Sequence, residues 1–102
     1  MSKIPTALPG NVVLDGYIDV PQDRLAAVTE ALPQHIALTR AEAGCRYFDV
    51  LEDLSIAGRF NVFEIFDTRC AFDAHQIRAA ASTWAQITVG IDRHYVVTEI
   101  DN

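Results

Sequence analysis

Residues 42–75 read EAGCRYFDVLEDLSIAGRFNVFEIFDTRCAFDAH, and this stretch predicts the centre of the fold. Residues 47–51 and 60–66 both alternate their side chains with a period of two and are rich in β-branched and aromatic residues, which is typical of β-strands. Residues 55–58, between them, are turn formers. The stretch therefore predicts a β-hairpin, with a short helix after it.

A strand and a helix are predicted ahead of the hairpin. From Val12 to Val20 the side chains alternate, which indicates a strand with one apolar face. Pro21 suits the start of a helix, because it lacks an N–H that would be unpaired there. Apolar residues at helical spacing form one stripe: Leu25, Val28, Leu32 and Ile36. We expect a kink at Pro33, which removes a backbone hydrogen bond, and a helix end near Gly44.

A second helix and a last strand are predicted after the hairpin. Thr68 can cap a helix that begins at Arg69, and the helical pattern extends to Gly90 with a break around residues 76–79. From His94 to Ile100 the side chains alternate again, as in a strand. Two right-handed βαβ crossovers that share an antiparallel hairpin give an α+β, ferredoxin-like βαββαβ fold with both helices on one sheet face.

The predicted sheet has bulky side chains on both faces. The third strand carries Phe60, Val62 and Phe66 on one side and Phe63 and Ile65 on the other. An apolar sheet face that no helix covers needs another partner, and a second copy of the same sheet is the economical one. We therefore expect a homodimer of one domain, residues 12–102, behind a flexible lead-in, residues 1–11.

Composition limits the partners of the chain. Its formal net charge is −6, from 8 basic and 14 acidic residues without a basic cluster, which argues against nucleic acid and anionic membrane. No apolar run approaches the roughly 20 residues of a membrane span, and no leader pattern precedes the domain, so we expect a cytoplasmic protein. Cys45 and Cys70 lack ligand-like spacing and are expected to be free thiols.

Three sequence pieces carry a resemblance to a known family. They are Glu-x-Gly-Cys at 42–45, aromatic-x-x-x-Glu-x-aromatic at 60–66 and Phe-x-x-His at 72–75. In this order and spacing the chain resembles the antibiotic biosynthesis monooxygenase family, over about residues 12–100. The resemblance implies a dimeric α+β barrel that oxygenates a small phenolic or quinol-like compound without flavin, haem or metal. The sequence itself has no phosphate loop, dinucleotide fingerprint or metal-ligand cluster, so we expect no cofactor.

Two histidines are the candidate catalytic residues. His75 matches the histidine of the family's Phe-x-x-His, and an imidazole can accept or donate a proton near neutral pH. His35 follows Pro33, where relatives often place a histidine that faces the cavity between helix and sheet. The structural alternatives are a half-buried, packing His75 and a solvated His35 on the helix surface.

Four further residues are candidates for substrate binding. Trp84 matches an aromatic position common in the family, and an indole suits the wall of an aromatic pocket, although a core role is the alternative. Phe66 and Tyr47 are further pocket candidates. Glu64 lies on an apolar strand face, where a carboxylate must be paired or have a raised pKa; a structural hydrogen bond or an ion pair across subunits is the alternative to orienting a base. The arginines considered for that ion pair are Arg40 and Arg46.

One departure from the family keeps other functions open. Many relatives have a second histidine five residues after the position of His75, where this chain has Ala80. The tryptophan, asparagine and histidine set of the haem-degrading branch is also not evident. Beside the monooxygenase, we therefore consider an isomerase that enolises a small carbonyl or sugar-derived metabolite, and a non-enzymatic dimer that binds a small ligand.

Overall fold

The computed structural model describes residues 3–101. Within them the elements are β1 (Val12–Asp19), α1 (Leu25–Arg40), β2 (Cys45–Glu52), β3 (Arg59–Phe66), α2 (Arg69–Ala80), α3 (Thr83–Ile87) and β4 (Arg93–Glu99). This order confirms the predicted ferredoxin-like α+β fold. The first two residues of the predicted lead-in, and the last residue of the predicted domain, lie outside the described part of the chain.

The four strands form one antiparallel sheet in the order β2-β3-β1-β4. Val12 pairs with Phe66 and Gly16 pairs with Val62, so the even-numbered residues of β1 and β3 share one face. The helices cover this face. Its core side chains are at most 6% exposed and include Val12, Leu14, Ile18, Phe48, Val50, Phe60, Val62 and Phe66.

Gly16 lets β4 approach β1 closely. A Cβ atom at this position would overlap the carbonyl oxygen of His94 and lie 2.8 Å from Cα of Tyr95. A glycine inside a strand often marks the close approach of another backbone, and Gly16 does so here. β4 thereby brings its own side chains to the edge of the helix-covered face.

α1 differs from the prediction at its end. Gln22–Arg24 form a 3-10 turn after Pro21, and α1 then continues without interruption through Pro33 to Arg40. The predicted kink remains a prediction. The expected end near Gly44 is wrong, because the chain leaves the helix at Ala41 and Gly44, at φ 86°, belongs to the turn before β2.

The predicted cap of α2 is confirmed. The hydroxyl of Thr68 accepts a hydrogen bond from the N–H of Ala71 at 3.0 Å. The predicted break at residues 76–79 is wrong: α2 ends at Ala80, and Ser82 caps the short α3. Alanines favour helix and a serine favours the N-cap position, so the break falls after the alanines and residues 75–80 stay on one helix.

The sheet face opposite the helices carries exposed apolar and aromatic side chains. Leu51 and Val96 are 60% and 68% exposed. The rings of Tyr17 and His94 stack at 4.7 Å between centroids, and the guanidinium of Arg59 lies 3.7 Å from the Tyr17 centroid. We call this surface the open face. Separately, the described residues contain no helix that is long and apolar enough to cross a bilayer.

Candidate functional site

A cavity of about 440 Å³ lies between the three helices and the sheet. We call it the main cavity. It is lined by His35, Glu64, His75, Gln76, Ala79, Ala80, Trp84, Ala85, Val89, Gly90, Arg93 and Tyr95. Residues from α1, β3, α2, α3 and β4 thus meet in one space, because both crossovers place their helices over the same sheet face.

His75 lies in this cavity with a fixed orientation. It is 3% exposed, and its ring stacks on Phe66 at 4.9 Å between centroids. Its Nδ1 lies 2.8 Å from Oε1 of Glu42. A carboxylate can only accept a hydrogen bond, so Nδ1 carries the proton and Nε2 keeps a lone pair. Burial lowers the pKa of His75, and the nearby Glu42 carboxylate partly opposes this effect.

Glu42 is itself held by Arg78. It lies in the turn between α1 and β2, and its Oε2 accepts a hydrogen bond from Nε of Arg78 at 2.6 Å. Nη2 of Arg78 donates to the Thr39 hydroxyl at 2.9 Å. Sequence reasoning missed Glu42, the hydrogen-bond partner of His75, and Arg78, which holds Glu42. Arg78 follows His75 by three residues on α2, a spacing that places both side chains on the same face, but the break predicted at residues 76–79 hid this relation. Glu42 opens the Glu-x-Gly-Cys motif.

Glu64 is the buried carboxyl of the main cavity. It is 5% exposed, and among residues 3–101 its Oε1 has no hydrogen-bond partner. The nearest charged or titratable nitrogen is Nε2 of His75, at 4.0 Å. Burial, reinforced by the charge of Glu42, raises the pKa of Glu64 to about 8. At neutral pH Glu64 is therefore mainly a neutral carboxylic acid, able to donate a hydrogen bond.

Within this chain the two arginines considered as partners of Glu64 pair elsewhere. Arg40 lies 3.4 Å from Asp49, and Arg46 lies 3.8 Å from Asp67. Both arginines lie at the β2 end of the molecule, where they also bind the carbonyl oxygen of Phe48 and the side chain of Asn11. The sequence analysis required a carboxyl on this face either to be paired or to have a raised pKa, and Glu64 has the raised pKa.

His35 and Trp84 form an aromatic wall. His35 is 6% exposed, and its ring lies parallel to the indole of Trp84 with 4.6 Å between centroids and 7° between planes. Its centroid is 6.3 Å from that of His75. Burial, followed by the charge of Arg78, lowers the pKa of His35 to about 3. His35 is therefore a neutral ring at neutral pH and not the solvated residue considered as its alternative.

The aromatic wall separates two spaces. A second cavity of about 380 Å³ lies between α1 and the link from α2 to α3. His35 and Trp84 line both this cavity and the main one. The stacked pair is therefore a partition that the two cavities share.

Four of the six predicted site residues meet in the main cavity, and two lie outside it. His75, His35, Trp84 and Glu64 all line it. Phe66 is fully buried beneath the His75 ring and supports that ring. Tyr47 pairs with Ile65 in the sheet, so it points to the open face, where its ring contacts Phe63 at 6.0 Å.

β4 contributes two cavity residues that sequence reasoning did not identify. Burial raises the pKa of Tyr95 to about 12, so its hydroxyl stays protonated. Arg93 is an exposed residue, and its Nη2 donates to the Thr88 hydroxyl at 3.1 Å. Alternation along the last strand places Arg93 and Tyr95 on the same sheet face, and this pattern is the sequence signal that could have identified them. Within residues 3–101 no group of three His, Cys, Asp or Glu side chains is arranged to hold a metal ion.

Comparisons with known proteins agree with this architecture. The family model for antibiotic biosynthesis monooxygenase matches residues 11–86. A Nitrosomonas europaea protein with the provisional name antibiotic biosynthesis monooxygenase is 24% identical, with a TM-score of 0.78 over 93% of this chain and 94% of its own. A Deinococcus radiodurans protein with the same provisional name is 25% identical, with a TM-score of 0.72 over 89% and 93%. MupZ from Pseudomonas fluorescens is 15% identical, with a TM-score of 0.76 over 96% and 74%. A search of curated proteins gave no match.

Proposed function

This chain belongs to the antibiotic biosynthesis monooxygenase family, and on that premise we propose that it is a cofactor-independent monooxygenase of small phenolic or quinol-like compounds. The observation that carries the proposal is the arrangement of Glu42, His75 and Glu64. Glu42 holds Nδ1 of His75 at 2.8 Å, and Nε2 is directed toward the main cavity, 4.0 Å from Glu64. The imidazole is thus a neutral, oriented base at the floor of a partly open cavity.

In this proposal His75 starts the reaction by taking the phenolic proton on Nε2. General base catalysis by a positioned histidine accelerates a proton transfer by about 10²–10⁴-fold. The positive charge that forms on the ring is stabilised by Glu42, which Arg78 keeps in place. The resulting phenolate is electron-rich enough to react with molecular oxygen directly.

The oxidation balances with oxygen as the sole co-substrate. The phenolate gives one electron to oxygen, and the two radicals combine at the para carbon to form a peroxide. The O–O bond then breaks together with the C–H bond of the para carbon: one oxygen atom stays on the ring as the quinone carbonyl, and the other takes up the released proton and leaves as water. A phenol plus O₂ gives a para-quinone plus water, and all four electrons come from the phenol. The proton held by His75 returns to the departing oxygen.

The remaining cavity residues bind and enclose the substrate. The indole of Trp84 and the neutral ring of His35 provide a flat surface for an aromatic ring. The neutral carboxylic acid of Glu64 can donate a hydrogen bond to the substrate oxygen, because its pKa is raised to about 8. The small side chain of Ala80 leaves room where the family resemblance implies a second histidine.

Oxygen uptake tests the proposal. The purified protein is screened with phenols, hydroquinones and anthrones, and we expect uptake with at least one of them. His75→Ala should lower the rate about 100-fold or more, since it removes the base. His94→Ala is the matched control, because His94 lies on the open face. The absence of uptake with the whole panel, or an unchanged rate in His75→Ala, would contradict the proposal.

An isomerase is the second candidate, and one observation favours it. His75 and Glu64 are a base and a neutral acid 4.0 Å apart, with pKa values shifted in opposite directions. Such a pair suits enolisation, in which one group removes a proton beside a carbonyl and the other protonates its oxygen. This function predicts turnover of a small carbonyl compound under nitrogen, whereas the monooxygenase requires oxygen.

We also propose that two copies associate through their open faces. The exposed side chains of Leu51 and Val96, and the rings of Tyr17 and Phe63, lie on this face. An apolar sheet face of this kind commonly packs against another sheet.

Cys45 and Cys70 are free in this structure, which supports a reducing compartment such as the cytoplasm.

A further inference from the structure

The lining of the main cavity is positively charged at neutral pH. Its titratable residues are His35, Glu64, His75, Arg93 and Tyr95. Burial lowers the pKa of both histidines and raises the pKa of Glu64 and Tyr95 to about 8 and about 12. These four groups are therefore mainly uncharged at pH 7. Among the described lining residues, the guanidinium of Arg93 is left as the charged group.

Arg93 also lacks an acidic partner within the described part of the chain. Five other arginines each have a carboxylate at salt-bridge distance: Arg40, Arg46, Arg59, Arg69 and Arg78. Arg93 instead donates to the Thr88 hydroxyl, and Arg24, the other arginine without such a partner, donates to the carbonyl oxygens of Val89 and Ile87. Two cations without a carboxylate at salt-bridge distance thus contact the segment after α3 whose Val89 and Gly90 line the main cavity, in a chain of net charge −6.

Arg93 has donors to spare for a ligand. A guanidinium carries five N–H groups, and the hydrogen bonds to Thr88 and to the side chain of Tyr95 use two of them. Arg93 is exposed and His75 is 3% exposed, so the cation lies at the rim of the cavity and the base lies at its floor. The lining also includes the apolar side chains of Ala79, Ala80 and Val89, which suit an aromatic ring.

We propose that the main cavity selects aromatic compounds that carry a carboxylate, which Arg93 binds at the rim while the ring hydroxyl faces Nε2 of His75. A guanidinium and a carboxylate can form two parallel charge-assisted hydrogen bonds. The role of the hydroxyl rests on the proposed function. The preference for a carboxylate rests on Arg93 alone and does not require that the protein catalyse an oxidation.

A matched pair of ligands tests this preference. 5-Hydroxy-1-naphthoate and 5-hydroxy-1-naphthamide have the same ring, hydroxyl and size, and they differ in charge. Calorimetric titration is carried out under nitrogen, which prevents oxidation. The acid should bind at least about tenfold more tightly than the amide, because a hydrogen bond between two charged groups raises the binding affinity by more than a factor of ten. Arg93→Gln should bring this ratio close to one, and Arg93→Lys should leave an intermediate ratio. Arg69→Gln, at the start of α2, should keep the ratio of the wild type.

Each result either supports the proposal or overturns it. A ratio near one in the wild-type protein, no binding of the acid, or an unchanged ratio in Arg93→Gln would overturn it. Oxygen uptake with the same two compounds in air separates it from the proposed function. Preferential binding of the acid without uptake would support the carboxylate site, and uptake with the panel of phenols, hydroquinones and anthrones would then decide on the monooxygenase separately. Uptake with equal affinity for both compounds would overturn the carboxylate site and support the monooxygenase.

Discussion

His75 depends for its protonation state on residues that other parts of the chain supply. The Glu42 carboxylate comes from the turn before β2, and Arg78, which holds it, comes from the helix of His75 itself. The lone pair on Nε2 is therefore a consequence of tertiary structure. Sequence reasoning could select His75 from its motif, but it could not assign Glu42 a role, because a side chain in a turn has no periodicity that indicates its direction.

We predict that Glu42→Gln lowers the pKa of His75. The amide has nearly the size of the carboxylate but no charge, and the charge of Glu42 raises the pKa of this histidine against the effect of burial. Catalysis that depends on His75 should fall about tenfold or more, since the ring loses the group that stabilises its protonated form. NMR titration of the imidazole nitrogens measures the shift. An unchanged or higher pKa in the variant would contradict the assigned role of Glu42.

We predict that Glu64→Gln stabilises the protein at pH 8 and has less effect at pH 5. The pKa of Glu64 rises from 4.5 to about 8 on folding, so between these values the folded state holds a proton that the unfolded state has lost. Stability from this group therefore falls as the pH rises from 4.5 to 8. The full difference amounts to roughly 3–5 kcal/mol.

Urea unfolding of both proteins at several pH values measures this difference. His35 changes stability in the opposite direction, because its pKa falls from 6.5 to about 3 on folding. That effect is common to the wild type and the variant, so subtracting the two curves removes it. His75 and Tyr95 line the same cavity as Glu64, and the charge of Glu42 acts on its pKa. All three residues are present in both the wild type and the variant. A difference that does not grow between pH 5 and pH 8 would contradict the raised pKa.

At the scale of elements, the strands were more predictable than the helix ends. Alternation and turn residues define β2 and β3, and they need no information beyond the local sequence. The sequence analysis predicted the end of α1 near Gly44, but the helix ends at Arg40. It predicted a break at residues 76–79, but the break follows Ala80. A glycine such as Gly44 can serve a turn as well as a helix end, so it did not define where α1 stops. The register between neighbouring strands also decides which side chains face the cavity. Tyr47, which was predicted to line the pocket, pairs with Ile65 and points to the open face.

Thr68→Ala should lower the free energy of unfolding by about 1 kcal/mol, because it removes the cap of α2. Since His75 lies on the second turn of this helix, we also expect weaker ligand binding in the main cavity. Chemical denaturation measures the stability change. Thr83→Ala, at the first residue of α3, is the control, because Thr83 is not the cap residue of its helix. Equal effects of the two substitutions would contradict the importance of the cap.

At the scale of the whole molecule, the two sheet faces have different roles. One face and its helices enclose the cavity, and the other presents apolar side chains to the surroundings. The alternation in β1 and β3 predicted this division, including the bulk on both sides of β3. The sequence could not predict the volume of the main cavity or its partition from the second cavity, because both depend on the relative positions of three helices.

Val96→Lys should weaken self-association. Val96 is 68% exposed on the open face, and a charge placed in an apolar interface must be desolvated without a partner. Light scattering over a dilution series should show a dimer for the wild type and a larger monomer fraction for the variant. Leu54→Lys is the control, because Leu54 is fully exposed in the loop of the hairpin. A monomeric wild-type protein would contradict the proposed dimer.

The stack of Trp84 on His35 gives the protein an intrinsic fluorescent probe of its cavity. Trp84 is the single tryptophan of the chain, so its fluorescence reports on one place, the wall that both cavities share. A protonated imidazole would quench an indole at this distance, but the pKa of His35 near 3 keeps the ring neutral over the working range. Protonation of His35 should therefore leave the emission unchanged from about pH 5 to 9, whereas a compound that enters the main cavity should change it without any attached dye.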